Sequence, residues 1–253
     1  MAISVCIITK NEAKRIEKAV KSASFADEIV VVDSFSKDNT VEICEKLGCH
    51  VFERGFDDYS GVKNFALEKA GSEWVFFLDA DEIITKGLSE EIQKTVTKNP
   101  DEKAFRVKRK VYIFGERMRW GSVKDDAPVR LLKKGKCRFF QPVHEEVKVE
   151  GETGLLSGYI EHHTTSSISE YLEKFNKYTD LEAEYMYSKG VKPHLGNLLI
   201  KPALVFLRGY IMKMGFLDGI RSYIFEVFSS FYTFNKYAKL RDLIRVRGDR
   251  GKR

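Results

Sequence analysis

Over the first hundred residues, short continuous apolar runs alternate with segments whose apolar residues recur every three or four positions. The runs Ile3 to Thr9, Ile29 to Val32 and Trp74 to Leu78 show little polar alternation, as strands buried on both faces do. Between the first two, Glu12 to Ala23 places Ile16, Ala19, Val20 and Ala23 on one helical face. Asp38 is placed to cap a helix from Asn39 to Leu47, with Gly48 as its stop. His50 to Phe52 reads as a short strand, and Lys63 to Ala70 as a third helix closed by Gly71. Strand–helix alternation at this spacing predicts βαβ units and a mostly parallel sheet. No G-x-G-x-x-G follows the first strand, which disfavours a dinucleotide fold.

After an amphipathic helix, Ser89 to Lys98, the pattern changes. Ala104 to Leu132 reads as β-rich, and Pro128–Leu132 and Cys137–Phe140 flank a Lys133-Lys134-Gly135-Lys136 turn, predicting a hairpin. Ser167 and Glu170 form a capping box for a helix reaching about Tyr187.

The run Trp74 to Leu78 ends in Asp79, Ala80, Asp81 and Glu82. Three carboxylates at the end of a buried strand are costly unless something cationic meets them. The carboxyl edge of an open α/β sheet is also where ligands bind. Asp-x-Asp there points to a divalent cation, Mg²⁺ or Mn²⁺, held by hard oxygens and escorting a phosphate. The rival is a solvated loop beside a helix N-terminus.

Charge adds a second theme. The 253 residues carry a net +6, but from Lys189 onward there are 14 Lys and Arg against four acidic residues, a net of +10. The preceding 188 residues carry 29 basic against 33 acidic side chains. A basic tail on a mildly acidic body suggests an anionic surface as partner. From Lys192 the tail is aromatic and aliphatic, punctuated by Lys201, Arg208, Lys213, Arg221 and Lys236, and Pro202, Gly209, Gly215 and Gly219 are expected to break it into short helices. No run of 18 uncharged apolar residues occurs. The aromatics recur at helical spacing among aliphatics, which argues against nucleic acid as the partner. Cys6, Cys44, Cys49 and Cys137 form no CxxC pair, and nothing before Ile3 reads as a secretory signal, so reduced thiols in the cytosol are expected.

The ordered blocks ISVCIITKNE, VVVDSFSKDNT, VKNFALEKA, WVFFLDADE and VHEEV resemble the family 2 glycosyltransferases over roughly residues 1–165. EYLEKFNKYT, KP followed by F-x-R-x-Y, and GFLDG resemble the small bacterial branch of lipopolysaccharide-core β-glycosyltransferases. The resemblance implies an α/β, GT-A nucleotide-sugar-binding (Rossmann-like) mixed sheet with flanking helices, residues 1–188. A C-terminal helical extension, 189–253, follows. It implies an inverting, metal-dependent transfer from a nucleotide sugar, a UDP-sugar first, to a lipid-linked or glycan acceptor such as lipopolysaccharide core.

By the same resemblance, Asp81 contacts the metal and Asp79 the metal or ribose. Thr9, Asn11 and Glu12 lie at the nucleotide pocket, and Asp33 accepts a hydrogen bond from the base. Lys63, where many relatives carry Arg, meets the diphosphate as a point charge. Glu145 is the catalytic base, although relatives carry Glu-Asp where this chain has His144-Glu145. Each assignment has a plainer rival: Asp33 as a turn residue, Asn11 as a cap, Lys63 as a solvated helix start. His144, His162 or His163 is a candidate to complete the metal shell, and Trp120 and Arg130 to shape the acceptor pocket, with surface stacking as their rival. The expected location is cytoplasmic, peripheral on the inner face of the membrane, with the tail touching the bilayer or another subunit of a homo-oligomer. Two other functions compete. A nucleotidyltransferase needs a Gly-rich loop after the first strand, and KNEAKR has no glycine. A non-catalytic membrane scaffold predicts loss of the acidic motif, and Asp79 and Asp81 are both present.

Overall fold

The computed structural model describes residues 1–124, 126–141 and 146–250, excluding the side chains of 248–250. The chain packs as two compact units: Met1–Lys110 with Asp125–His163, and Val111–Lys124 with Thr164–Arg253. The expected boundary after residue 188 falls inside the second unit.

In the first unit, β1 (Ile3–Thr9), β2 (Glu28–Asp33), β3 (His50–Glu53) and β4 (Trp74–Asp79) are parallel, in the order β3-β2-β1-β4. Beyond β4 the sheet turns antiparallel: β8 (Val129–Lys133) pairs with β4 and with β6 (Ala104–Ile113), and β11 (Thr153–Thr165) pairs with β5 (Glu82–Ile84). The sheet is therefore mixed. The continuous apolar runs explain its parallel half, because both faces are covered. Ile3, Val5, Ile7, Trp74, Phe76 and Leu78 pack on one side with Ile16, Val20, Leu88, Ile92 and Val96. Cys6, Val30, Val32, Val75 and Phe77 pack on the other with Val62, Ala66, Leu67 and Phe139.

The helices on these faces are α1 (Ile16–Ser22), α2 (Thr40–Lys46), α3 (Tyr59–Lys69) and α4 (Lys86–Thr97). Two expectations are corrected. Helix α3 begins four residues before Lys63, because Asp58 Oδ1 accepts from Gly61 N at 2.7 Å and caps it. The basic turn Lys133–Lys136 does form, with Lys136 N donating to Lys133 O, but it joins two different sheets. Strand β9 (Cys137–Phe140) pairs with β10 (Glu146–Val149) in a separate two-stranded ribbon rather than with β8. Turn chemistry marked a reversal, and the partner was decided by β4, whose free edge takes β8.

In the second unit, β7 (Glu116–Met118) folds back on the end of β6. Helix α5 (Ile168–Ser188) starts at Ser167, whose hydroxyl accepts from Glu170 N, while the Glu170 carboxylate reaches back to Ser166 N rather than Ser167. Helix α6 (Leu195–Phe206) contains Pro202 and runs on into a π-helical turn, Leu207–Met212. Helix α7 (Gly219–Arg250) is 32 residues long. The tail is thus two long helices around a tight turn at Met214 to Gly219, and Pro202 and Gly209 do not break it. Gly209 instead lets the backbone approach Glu226, leaving no room for a Cβ. The four cysteines are free, Cys6 and Cys44 buried, Cys49 and Cys137 partly so.

Candidate active site

Two loops at the carboxyl ends of β1 and β2 are zipped together. Asn11 sits in the left-handed region, φ 56°, which asparagine tolerates. Its N–H donates to Ser36 Oγ and its Oδ1 accepts from Lys37 N, both at 2.7 Å. Glu12 N donates to Thr40 Oγ1 at 2.9 Å, and Ala13 N to Asp38 Oδ2 at 3.2 Å. Asp38 therefore ties the loops together as well as bonding Thr40 at the start of α2. Its hydrogen bonds outweigh the upward push of burial and hold its carboxyl below the usual range. Asn11 is a loop staple rather than the cap of α1.

Asp33 closes the same crest. It is fully buried, and its oxygens accept from Ser36 N at 2.7 Å and Ser36 Oγ at 2.5 Å. The turn role that competed with base recognition is therefore present, and a carboxylate engaged twice still has lone pairs to offer. Thr9 pairs in register with Asp33, and its buried Oγ1 has no hydrogen-bond partner among the described residues. Two residues beyond Asp33 lies an aromatic residue that the apolar pattern does not mark. Phe35 is 55% exposed, with a backbone φ of 56°. A bulky side chain in the left-handed region costs energy and persists only where its surroundings hold it.

The acidic motif is met by the cations its cost demanded. Arg130 is buried, and its Nη2 donates to Asp79 Oδ2 at 2.7 Å and to Glu82 Oε1 at 2.5 Å. Arg109 Nη1 lies 3.3 Å from Glu82 Oε1, and its Nε donates to Asp126 Oδ2 at 2.7 Å. Lys63 Nζ, buried, is 3.6 Å from Asp79 Oδ1 and lies over the Phe139 ring. Burial alone would raise the Asp79 pKa, but Arg130 and Lys63 outweigh it and hold the carboxyl well below its usual range. Arg130 is thus an internal ion-pair partner, not a stacking residue at the surface. Glu82 stood out in the sequence only as one of three carboxylates at the strand end, and Arg109 and Asp126 were not singled out. The signal for them was arginine within the strand pattern of β6 and β8, where a buried charge requires a partner.

Asp81 is held differently. Its carboxylate Oδ1 is 3.4 Å from His162 Nε2, and its carbonyl accepts from His163 N at 2.9 Å. These contacts follow from the β5–β11 register, which sets His162 opposite Glu82. Burial lowers the His162 pKa, but the hydrogen bond and charge of Asp81 raise it further, to a net increase. Asp81 and Glu82 line a recess of about 180 Å³ with Lys14, Arg15, Lys18 and His163. No group of three or more His, Cys, Asp or Glu side chains able to hold a metal occurs among the described residues. A hard cation bound mainly through phosphate oxygens and water needs only one or two carboxylates. Asp81, on the recess wall, fits that requirement. Asp79 is already committed to Arg130 and Lys63.

Of the other candidates, His144 and Glu145 lie outside the described residues. Trp120 belongs to the second unit, where its backbone N–H donates to Asp218 Oδ2 at 2.7 Å and Lys124 lies over its ring.

A family model described as "Glycosyl transferase family 2" matches residues 4–147, more than half of the chain and the stretch that carries this site apart from His162 and His163. The chain belongs to glycosyl transferase family 2. This family 2 chain is 29% identical to the lipopolysaccharide core biosynthesis glycosyltransferase LpsC of Rhizobium meliloti, over 95% of the chain and 92% of that protein. It is equally similar, at 29%, to an uncharacterized glycosyltransferase of Rickettsia prowazekii, over 95% of the chain and 87% of the relative. Among solved structures, S. aureus TarS 1–349 in complex with UDP-GlcNAc aligns with a TM-score of 0.51 at 16% identity, covering 98% of this chain and 92% of that one. The mannosyltransferase PcManGT of Pyrobaculum calidifontis, in complex with GDP-Man and Mn²⁺, aligns at 0.52 and 15% identity, covering 96% and 86%. These two likenesses concern the fold, which is the GT-A arrangement of a mixed sheet flanked by helices with a helical C-terminus.

Proposed function

We propose that this family 2 enzyme transfers a sugar, with inversion, from a UDP-sugar to a glycan acceptor carried on lipid, of the lipopolysaccharide-core type. The observation that carries the reading is Asp81 on the wall of a recess shared with Lys14, Arg15 and Lys18 at the carboxyl end of β4. Asp81 for a cation, Glu82 already held by Arg130, and the side-chain cations Lys14, Lys18 and Arg15, the last also paired with Glu12, suit a diphosphate, whose charge grows as the sugar leaves. The kind of acceptor is drawn from LpsC, which aligns along nearly its whole length.

In this mechanism the crest of Thr9, Asn11, Glu12 and Asp33 binds the nucleoside, with the unsatisfied Thr9 hydroxyl and the spare acceptor capacity of Asp33 turned to it. Phe35 covers the base ring. Asp79, kept ionised by Arg130 and Lys63, orients the ribose, and Lys63 adds positive charge near the diphosphate. Glu145 removes the proton from the acceptor hydroxyl as that oxygen attacks the anomeric carbon and the diphosphate departs from the opposite face, which inverts the centre in one displacement. A divalent ion at Asp81, Mg²⁺ or Mn²⁺, supplies charge neutralisation for the leaving diphosphate when bound.

The test is release of nucleoside diphosphate from a panel of nucleotide sugars, with Mn²⁺ or Mg²⁺ against chelator. Release from one donor that needs both metal and Asp81 is expected, and Asp81→Ala should abolish it with the fold kept. Near-normal release by that variant would remove the metal assignment. Glu145→Gln is expected to bind donor normally and to lose turnover; surviving turnover would put the base elsewhere.

A further inference from the structure

The second unit carries an apolar face that its own packing leaves uncovered. Ile200, Leu204, Leu207 and Ile211 follow one another at spacings of four, three and four along α6 and the π-helical turn, so they share one side. They are between 48% and 61% exposed. The opposite side is the packed one: Leu198 joins a core of Ala183, Met186, Tyr237 and Leu240, and Gly209 backs onto Glu226. Where the stripe ends, Phe216 and Leu217 are also about half exposed. The segment Leu195–Met212 is helical over 18 residues and apolar enough by composition to cross a bilayer, with 17% of it buried.

Its charges argue for another placement. Arg208 is exposed near the middle of the stripe, Lys192 is exposed before α6, and Lys213 follows the π-helical turn. Lys201 also lies inside the 18 residues and donates to Tyr237 Oη at 2.8 Å. Two cations in the centre of a single spanning helix are expensive, whereas cations beside an apolar stripe suit a helix lying in the plane of the interface. From Lys189 to Ile220 the one acidic residue is Asp218, which already accepts from the Arg119 and Trp120 backbone N–H groups. The face is therefore apolar with a cationic border. We infer that α6 and the turn after it lie flat on an anionic lipid surface, the stripe among the acyl chains and Arg208 and Lys213 at the headgroups. This surface stands on the second unit alone and does not depend on the transfer chemistry.

The test is co-sedimentation of the full chain with phosphatidylcholine vesicles, with and without phosphatidylglycerol. Binding to the anionic vesicles is expected, weakened by salt. Two double variants separate the contributions. Leu204→Asp with Ile211→Asp removes the stripe, and Arg208→Glu with Lys213→Glu reverses the border. Each is expected to lower the bound fraction about ten-fold or more. Leu204, Arg208 and Ile211 are exposed and Lys213 half-buried, so circular dichroism and Tm should stay unchanged, and the charge variant carries the test if the stripe variant misfolds. Failure to sediment with anionic vesicles overturns the inference. So does equal binding to neutral vesicles, because the border would then recognise nothing. A concentration-dependent dimer abolished by the stripe variant, without vesicle binding, would give the face to a second copy instead. Resistance of the membrane-bound protein to alkaline carbonate extraction would make α6 a span and would equally overturn it.

Discussion

Arg130 bonds two carboxylates at once, Asp79 and Glu82, from a nearly dry position. Removing it leaves Glu82, fully buried, and Asp79 with less cationic cover. Breaking a buried pair by deleting one partner costs about 3–5 kcal/mol. Arg130→Met is therefore expected to lower unfolding stability by that order, read from urea denaturation, and a change under about 1 kcal/mol would mean water already serves the carboxylates. Phe35 makes the opposite kind of prediction. Phe35→Gly relieves a left-handed backbone strain of about 1–2 kcal/mol, and the greater chain entropy of glycine offsets part of it. Tm is expected to stay level or rise while affinity for the nucleotide, measured by calorimetry with UDP and Mn²⁺, falls. A loss of both stability and affinity would make Phe35 a packing residue. Sequence patterning named Asp79 and Asp81 and stated that they need cations. It did not name their partners, because Arg130 and His162 reach them from strands far along the chain.

At the scale of elements, α5 shows how much a helix depends on what packs against it. Its Ser167 start was legible because a capping residue acts within one turn. Its aromatic face was also legible, but not the partners. Tyr171 is surrounded by Phe114, Phe175, Phe225 and Phe228, with the Phe228 ring stacked at 5.1 Å between centroids. Burial pushes its phenol up to about 12, with Glu226 adding to the shift. A raised pKa favours the protonated form in the fold. The stabilisation is therefore complete below the ordinary phenol value of about 10 and is lost as pH rises towards the folded value. Absorbance titration of the native protein at alkaline pH should show one late phenol step, missing in Tyr171→Phe. A normal titration for every tyrosine would show that water reaches this ring. The basic turn at Lys133–Lys136 teaches the complementary lesson. A turn residue fixes where the chain reverses, and it carries no information on which strand edge is vacant. The hairpin expected there is accordingly two strands in two sheets.

At the scale of the molecule, the two tryptophans report on different units: Trp74 on the first, Trp120 on the second. Ligand bound only to the native state stabilises the unit that holds it, by about 2.7 kcal/mol at a hundredfold excess over Kd. In Trp120→Phe, UDP with Mn²⁺ is expected to move the Trp74 fluorescence transition to higher denaturant, and Asp81→Ala should remove that shift. No shift in the Asp81-intact protein would separate the nucleotide from this site. The sequence by itself determined the parallel half of the sheet, the acidic motif at its edge, the capped start of α5 and the basic, apolar character of the tail. All of these depend on residues within a few positions of one another, where period, capping and local charge act. The tertiary structure alone decided which strands make the antiparallel far side of the sheet, which side chains meet Asp79 and which meet Asp81, the crest formed by the two loops, and the uninterrupted length of α7. Those depend on which distant edges and faces meet. The free energy of burying a charge or an apolar surface belongs to the pair in contact, and neither partner's local sequence names the other.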